Sequence, residues 1–409
     1  MVNLIERKIY TDRIKSFFDT ELIKVITGIR RSGKSDIMKL IKQEALKQTD
    51  EEHIIFINFE DLSYINLQEY RALHKYITDK IKDDKKYFIF LDEIQLVDGW
   101  ELAVNSLRLR NTDIYITGSN SKLLSGELAT HIAGRYVSFD IAPLSFQEFI
   151  NFRAVSGIDS RDIEDYIAIG GFPMLSVHNY SQEQARKIIT DIHSSAVLKD
   201  VVERNKIKNA PLLQRIIAYI YDNVGNLTSL TKIANYLKAN GGGADFETIN
   251  SYVGYLENAC IIKKVSRFEI KGKKLLESND KYYLADHSLQ YVVRDMKKTN
   301  ISGILENIVF CELIRRGYNV YVGKMSPSDS REIDFVAEKY NGSEKLYIQV
   351  CYEYGGKETM DREFTPLTEI KDHYPKYVIT LDKLWNENRN GVIGIHLKDF
   401  LLKENFTGS

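Results

Sequence analysis

The feature that most constrains the fold is the segment GIRRSGKS at residues 28–35, which fits the pattern G-x-x-x-x-G-K-[ST]. The β-branched run before it (22–29) predicts a buried strand, and residues 34–48 predict a helix. Between such elements, glycines let backbone N–H groups surround a phosphate at a helix N-terminus. The predicted nucleotide contacts are Gly28, Arg30, Arg31, Ser32, Gly33, Lys34 and Ser35, with Lys34 on the β- and γ-phosphates and Ser35 on Mg²⁺.

A second motif is the apolar run Tyr87–Leu91, which ends in Asp92 and Glu93. Acids at the carboxyl end of a parallel strand face the ligand crevice of the sheet. We expect Asp92 to position Mg²⁺ and Glu93 to polarise the attacking water. The alternative is that the two acids only cap a helix.

Two later positions are candidates for contacts with the γ-phosphate. Ser119 and Asn120 follow the predicted strand 114–117, and either side chain could contact the phosphate or the water, although Gly-Ser-Asn is also ordinary turn chemistry. Arg135 precedes a fifth predicted strand and could reach the phosphate of a neighbouring subunit as an arginine finger. The alternative for Arg135 is a plain surface arginine.

Strands and helices alternate through this part of the chain, which predicts an α/β fold with a doubly wound parallel sheet. At roughly 150 residues per domain, the 409 residues suggest two or three domains. The patterns predict a P-loop ATPase core over 1–145 and a helical lid over 146–205. They are followed by a part that resembles a winged helix-turn-helix, over 206–298, and by an α/β domain that resembles the restriction-endonuclease-like fold, over 299–409.

Six segments, in this order, resemble those of the AAA-type ATPases of bacteria and archaea that carry a C-terminal domain of unknown function: GIRRSGKS, FLDEIQ, ITGSNSKLLS, HIAGRY, APLSFQEF and GGFP. The Arg30-Arg31 pair and Gln95 are typical of that group. The resemblance implies ATP and Mg²⁺ as cofactors, Ser119 and Asn120 in the sensor-1 region, and Arg135 at the finger position. The guanine-reading N/T-K-x-D signature is not evident after the loop, which also favours ATP.

Residues 211–290 resemble a winged helix, with 246–259 as recognition helix and 261–284 as wing. Residues 199–275 carry 13 Lys and Arg against 7 Asp and Glu, a local net charge of +6, whereas the whole chain has −1. The wing residues that could contact DNA phosphates are Lys263, Lys264, Arg267, Lys271, Lys273 and Lys274. An equally weighted alternative is that this module only mediates packing between domains.

The last segment resembles the restriction-endonuclease-like fold. Glu306 and Asp334 fit its carboxylate positions, but Gln349 stands at the second acidic position and Cys351 at the lysine position. A neutral amide is a poor Mg²⁺ ligand, and a thiol cannot replace an ammonium beside phosphate charge. We therefore expect a degenerate nuclease site, with Glu332 or Glu353 as the acids that could substitute.

Three widely spaced cysteines, an N-terminus without an apolar run and the lack of a stretch of about 20 apolar residues predict a cytoplasmic protein with no membrane contact. The leading hypothesis is a Mg²⁺-dependent ATPase that acts on DNA or on a partner protein and assembles as a homo-oligomer. The alternatives are a nucleotide-gated switch with slow hydrolysis and an ATPase coupled to a weak nuclease.

Overall fold

The computed structural model describes residues 4–118, 132–158, 163–241, 243–293, 301–326, 331–352, 357–382 and 388–406. The chain divides into two compact units. The first comprises Met1–Pro143 with Asn258–Cys260, and the second comprises Leu144–Glu257 with Ile261–Ser409. Among the described residues, no helix combines the length and the apolar character needed to cross a membrane.

The described part of the first unit alternates helices and strands. In chain order these are α1 (Lys8–Lys15), β1 (Ile23–Thr27), α2 (Lys34–Ala45), β2 (Ile54–Asn58), α3 (Tyr70–Lys80), β3 (Tyr87–Asp92), α4 (Trp100–Leu107), β4 (Thr112–Thr117) and β5 (Tyr136–Asp140). The strand order is β2-β3-β4-β1-β5, and every neighbouring pair is parallel. The predicted parallel sheet is therefore confirmed.

Each central strand of this sheet is buried on both faces, as a sheet covered by crossover helices requires. On β3, Ile89 and Leu91 lie in one hydrophobic cluster, whereas Phe88 and Phe90 lie in another. The apolar run that looked continuous in sequence thus supplies two cores through simple alternation of its side chains. Its last residue, Asp92, is the point at which the strand leaves both cores.

The second unit begins with helices: α5 (Phe146–Val155), α6 (Ile163–Ile169), α7 (Pro173–Ser176), α8 (Gln182–Ala196), α9 (Ala210–Asp222), α10 (Leu230–Ala239) and α11 (Phe246–Asn258). A π-helical stretch, Val197–Glu203, continues α8. Ser145 begins α5 through a capping box with Glu148, which satisfies two otherwise unpaired backbone N–H groups.

The remaining elements of the second unit build a mixed sheet. They are β6 (Ile262–Glu269), β7 (Lys274–Leu284), α12 (Ile301–Arg315), β8 (Tyr318–Lys324), β9 (Glu332–Lys339), β10 (Lys345–Val350), α13 (Lys357–Thr368), β11 (Lys376–Thr380), β12 (Asn388–Arg389), β13 (Val392–His396) and α14 (Leu397–Leu402). Among described residues the sheet has eight strands, in the order β12-β13-β11-β10-β9-β8-β6-β7.

The hairpin predicted as a wing belongs to this sheet, because β6 pairs with β8 in parallel, with Arg267 opposite Val322. The strands predicted for a winged helix and those predicted for a nuclease-like domain are thus continuous. The winged helix, the nuclease-like fold and the four-part division remain predictions, and the boundary that the structure draws lies after Pro143.

The GGFP motif has a clear structural role in the second unit. The backbone N–H of Gly171 donates to Asp286 Oδ2 at 2.9 Å. At Gly170, where φ is +78°, a Cβ atom would lie 2.3 Å from Asp286 Oδ1. Glycine is required there because the turn approaches the carboxylate so closely.

Candidate functional site

The carboxyl ends of the strands in the first sheet form one edge, and the predicted phosphate-binding loop (residues 28–35, here the P-loop) follows β1 at that edge. Gly28 has φ +142°, and a Cβ atom there would lie 2.3 Å from the carbonyl oxygen of Ile141. Arg31 and Gly33 also have positive φ, 67° and 94°. Gly33 stands at the N-terminus of α2, where no side chain caps the helix. The loop therefore has the conformation in which backbone N–H groups can surround an anion.

Lys34 is buried, with 5% of its surface exposed. Its Nζ donates to the carbonyl oxygens of Gly28 at 3.0 Å and Ile29 at 3.1 Å. These acceptors are neutral and belong to the loop itself. The Lys34 ammonium is therefore held inside the P-loop, at the place where a phosphate would bind.

Two further serines of the loop differ in their surroundings. Ser35 lies half-buried in the first turn of α2. Ser32 is fully buried, and among the described atoms its Oγ has no hydrogen-bond partner. A buried hydroxyl of this kind is costly unless another group satisfies it, which fits a ligand site.

Arg7 is a P-loop contact that sequence reasoning missed. It precedes α1, is 3% exposed, and donates from one guanidinium nitrogen to the carbonyl of Ser32 at 2.9 Å. The other nitrogen donates to Ala142 O at 2.9 Å and Pro143 O at 3.4 Å. Arg7 thereby ties the P-loop to the chain that follows β5.

The predicted acid pair lies at the same edge of the sheet. Asp92 is 1% exposed and accepts a hydrogen bond from Thr117 Oγ1 at 2.5 Å. The same hydroxyl accepts from the backbone N–H of Glu93 at 2.9 Å. Thr117, at the end of β4, therefore fixes both acids, and it is a second residue that sequence reasoning missed.

The Glu93 side chain is engaged as well. Gln95 Nε2 donates to Glu93 Oε2, which holds the carboxylate towards the helical turn that follows. Glu93 itself has φ 56°, a left-handed conformation that non-glycine residues seldom adopt. Such strain at a strand end re-aims the side chain out of the sheet.

The two arginines of the P-loop, Arg30 and Arg31, have different surroundings. Arg30 approaches Glu60 at 4.0 Å, whereas Arg31 is exposed. Ser119 and Asn120, proposed from sequence for the sensor position, lie outside the described residues.

Arg135 lies at the opposite end of the strands of the first sheet, where their amino ends meet. Its backbone carbonyl accepts from the N–H of Ile23, at the beginning of β1, and its guanidinium donates to Asn105 Oδ1 at 2.9 Å. The five residues of β1, which span about 16 Å, separate this amino end of the sheet from the P-loop at its carboxyl end. Arg135 is therefore remote from the P-loop of its own chain.

The basic residues predicted for DNA contact fall into two groups. Arg267 is buried, Lys264 pairs with Asp280 at 3.0 Å, and Lys274 approaches Glu269 at 3.6 Å. Lys271 and Lys273 are exposed at the hairpin turn, whereas Lys263 is half-buried. The charge predicted as one surface is thus partly neutralised by neighbouring acids.

The residues predicted as a degenerate nuclease site lie together in the second unit. Asp334 Oδ2 accepts from the N–H of Val350 at 2.9 Å, and Gln349 Oε1 accepts from the N–H of Asp334 at 3.2 Å. Glu306 faces the same point from α12. Glu353 lies outside the described residues.

The centre of this group is Lys281, which sequence reasoning did not single out. Its Nζ lies 2.7 Å from Glu332, 3.2 Å from Glu306 and 3.3 Å from Asp334. Lys281 comes from β7, the strand predicted as part of the wing. Only the pairing of β6 with β8 brings it here, and no local pattern signals that pairing.

The electrostatics of this centre follow from burial and charge. Burial alone would lower the pKa of Lys281, but the neighbouring Tyr283 and the carboxylates Glu306, Asp334 and Glu332 raise it well above its usual value. Burial, with the charge of Asp334 next, raises the pKa of Glu306. Lys281 therefore stays charged, while Glu306 retains a proton to higher pH than an ordinary carboxyl.

Cys351, at the position where a catalytic lysine was considered, is 6% exposed. Burial raises the pKa of its thiol to about 12. A neutral thiol offers neither charge nor a strong donor to a phosphate. It lies in the hydrophobic cluster of the second sheet with Phe364 and Leu367.

The residues at the carboxyl ends of the strands in the first sheet fit a nucleotide and Mg²⁺. The loop leaves no room for a Cβ at Gly28, the hydroxyl of Ser35 is a hard oxygen ligand, and the carboxylate of Asp92 is fixed by Thr117. These residues would hold the metal and the phosphates.

Comparison with known proteins agrees with this arrangement. The family model for an AAA domain matches residues 20–150, and that for a domain of unknown function, DUF8612, matches residues 160–300. An uncharacterized protein of Haemophilus influenzae is 39% identical over 406 residues, covering 98% of this chain and 99% of the relative. One from Methanocaldococcus jannaschii is 35% identical over 347 residues, covering 81% and 75%.

Among solved structures, the Walker-type ATPase of Pyrococcus abyssi is similar with a TM-score of 0.50 and 16% identity, covering 71% of this chain and 96% of that one. At this identity the likeness concerns the fold alone. Together with the matched AAA domain and the near full-length relative, it leads to one conclusion. The chain belongs to the family of AAA-type ATPases that carry a C-terminal domain of unknown function.

Proposed function

We propose that the first unit binds ATP with Mg²⁺ and hydrolyses it. The observation that carries the proposal is the shared hydroxyl of Thr117, which links Asp92 and Glu93 at the strand edge from which the P-loop emerges. A metal-positioning acid, a base and a phosphate-binding loop are the parts that phosphoryl transfer to water needs.

The roles follow from the chemistry of each group. Backbone N–H groups of the P-loop would bind the phosphates, and Lys34 would exchange its two carbonyl acceptors for the more negative phosphate oxygens. Ser35 and Asp92 would hold Mg²⁺, which neutralises charge on the β- and γ-phosphates. Glu93 would accept a proton from the attacking water.

Arg135 would act on a neighbouring subunit, because it lies at the amino ends of the strands, whereas the P-loop of its own chain lies at their carboxyl ends. Its guanidinium would stabilise charge on the transferred phosphoryl group of the neighbour. Turnover should then rise with protein concentration, and Arg135→Ala should remove that rise without weakening ATP binding.

Phosphate release under saturating ATP and Mg²⁺ tests the hydrolytic role. Glu93→Gln should lower turnover roughly 100-fold or more while ATP still binds, because only the base is lost. Glu21→Gln, an exposed acid of the same unit, is the matched control and should stay within about twofold of wild type. Unchanged turnover in Glu93→Gln would remove Glu93 from the mechanism.

A nucleotide-gated switch with slow hydrolysis is a second candidate, and the contact between Gln95 and Glu93 favours it. A base held by a neighbouring amide is not free to orient water until that contact breaks. Gln95→Ala should therefore raise the basal rate about threefold if this contact limits turnover. A low wild-type rate that rises in Gln95→Ala would support the switch, whereas equal basal rates in the two proteins would contradict it.

We also propose that Lys271 and Lys273, which are exposed at the hairpin turn between β6 and β7, contact DNA. Lys271→Gln/Lys273→Gln should weaken DNA binding and lower the salt slope of log K by about 2. The matched control is Lys75→Gln/Lys85→Gln, which removes two exposed lysines of the first unit. Equal DNA affinity in wild type and both variants would favour a packing role for this hairpin.

A further inference from the structure

A buried lysine lies at the centre of the second unit, at the point where three carboxylates converge. The Lys281 side chain is 2% exposed, and those of Glu306 and Asp334 are 11% and 10% exposed. Taking a charged lysine out of water is costly unless its surroundings replace the lost hydration. Here Glu306, Glu332 and Asp334 do so with three contacts between 2.7 and 3.3 Å.

The carboxylates also accept hydrogen bonds from other groups of the protein. Tyr283 donates its hydroxyl to Glu306 Oε2 at 2.9 Å. The backbone N–H of Val350 donates to Asp334 Oδ2. Gly225 closes the other side of Glu306, since a Cβ atom there would lie 2.9 Å from Oε2. The backbone therefore packs directly against the Glu306 carboxylate on this side.

The cluster forms part of the wall of a cavity of about 570 Å³. Glu332, Asp334 and Gln349 line the cavity, and two arginines, Arg331 and Arg362, lie on the same wall. The cavity thus gives solvent access to Glu332 and Asp334. Access exists, but the position between the carboxylates is already taken by the ammonium.

Three converging carboxylates are the ligand set that a divalent ion such as Mg²⁺ or Mn²⁺ takes in proteins. In the described residues, no three His, Cys, Asp or Glu side chains are grouped so as to hold a metal ion. The point that the three carboxylates share holds Lys281 Nζ instead. Because the ammonium is charged at neutral pH and covalently tethered, a free ion would have to displace it to bind at that point.

We propose that Lys281 is a built-in substitute for a divalent metal ion, so that Glu306, Glu332 and Asp334 form a closed centre that works without metal. This centre cannot deliver a metal-activated water to a phosphodiester. The two arginines beside it are themselves paired with acids, Arg331 with Glu369 at 2.7 Å and Arg362 with Glu363 at 2.8 Å. Gln349 and Cys351, at the two remaining positions of the predicted nuclease motif, add no negative charge that would favour a metal ion.

Manganese titration of the nucleotide-free full-length protein tests the proposal, with free Mn²⁺ measured by electron paramagnetic resonance. Lys281→Met removes the ammonium but keeps an unbranched side chain of similar length. It should bind one more Mn²⁺ per chain than wild type, and millimolar Mn²⁺ should raise its melting temperature by about 5 °C. Wild type should show neither change.

Two further variants keep the test decisive. Lys281→Met/Asp334→Asn removes one ligand and should lose the added Mn²⁺, which separates this centre from the P-loop. If Lys281→Met does not fold, Lys281→Gln keeps a polar side chain at this position, leaves all three carboxylates in place and should gain the same Mn²⁺. A folded Lys281→Met or Lys281→Gln protein without added Mn²⁺ would overturn the proposal. So would a wild-type protein whose Mn²⁺ is lost on Asp334→Asn.

Discussion

Two buried lysines, one in each unit, show that the same side chain can have different roles. Lys34 is 5% exposed and is held by two neutral carbonyl oxygens of its own loop. Lys281 is equally buried but is held by three carboxylates. Hydrogen bonds between an ammonium and a carboxylate are about twice as strong as those to a neutral acceptor. Three carboxylates therefore hold Lys281 more strongly than three carbonyl oxygens would.

This difference matters more than burial in deciding which centre has a ligand role. Both lysines are almost fully buried, so burial does not separate them. Their contacts differ, because Lys34 donates to carbonyl oxygens of the P-loop whereas Lys281 lies between three carboxylates. These carboxylates offset the charge of Lys281 within the second unit.

The sharpest way to break the comparison is to remove each lysine and measure unfolding in urea. Lys281→Met should destabilise the second unit by about 3–5 kcal/mol, because buried carboxylates lose their counter-ion. Lys34→Ala should cost about 1 kcal/mol, the net worth of hydrogen bonds to carbonyls. Equal losses for the two variants would show that the lysines are held alike.

Thr117→Val tests whether the acids of the first unit work as a fixed pair. The change keeps the shape but removes the hydroxyl that serves both Asp92 and the N–H of Glu93. We expect kcat to fall roughly 30-fold, which is a typical cost for misplacing catalytic groups. Thr117→Ser retains the hydroxyl and should recover most of the rate. A Val variant with wild-type kcat would show that the hydroxyl is dispensable.

Arg7→Ala sharpens the view that the loop around Lys34 is pre-formed. Without its bonds to Ser32 and Ala142, the P-loop should be less ordered before ATP arrives. We expect KM for ATP to rise about 10-fold with kcat nearly unchanged, since ordering must then come from binding energy. Arg13→Ala, an exposed arginine of α1, is the control and should leave KM unaltered. A fall in kcat alone would point to another role for Arg7.

The smallest expected effect extends the comparison to protons. Burial lowers the pKa of His193 in the second unit to about 4, below its unfolded value near 6.5. The unfolded chain therefore binds more protons between these pH values, and stability present above pH 6.5 is lost as pH falls. Between pH 6.5 and 5.5 the loss should be about 1 kcal/mol, and His193→Leu should remove it. A pH dependence that is the same in wild type and His193→Leu would contradict this origin.

The parallel sheet was predictable because its signals are local. A β-branched run, a glycine-rich loop and two acids after an apolar strand each identify themselves within a few residues. The confirmed sheet follows from that repetition, while the roles of Lys34, Asp92 and Glu93 remain predictions with a geometry that supports them.

The rest depended on pairings between distant segments. Arg7 is one of many charges near the N-terminus, and only its contacts with Ser32 and Ala142 distinguish it. Lys281 sits in a hairpin whose pairing with β8 no spacing reveals. The six basic residues of the predicted wing were expected to form one basic surface, because sequence gives the number of charges but not their partners.

Equilibrium binding of a fluorescent ATP analogue tests the central claim most directly, with Lys34→Ala compared against Lys281→Met/Glu306→Gln. The account predicts that Lys34→Ala weakens binding roughly 100-fold or more, since a desolvated ammonium–phosphate contact is lost. The double variant, altered only in the second unit, should bind within about twofold of wild type. Wild-type affinity in Lys34→Ala would contradict the claim that this P-loop is the nucleotide site.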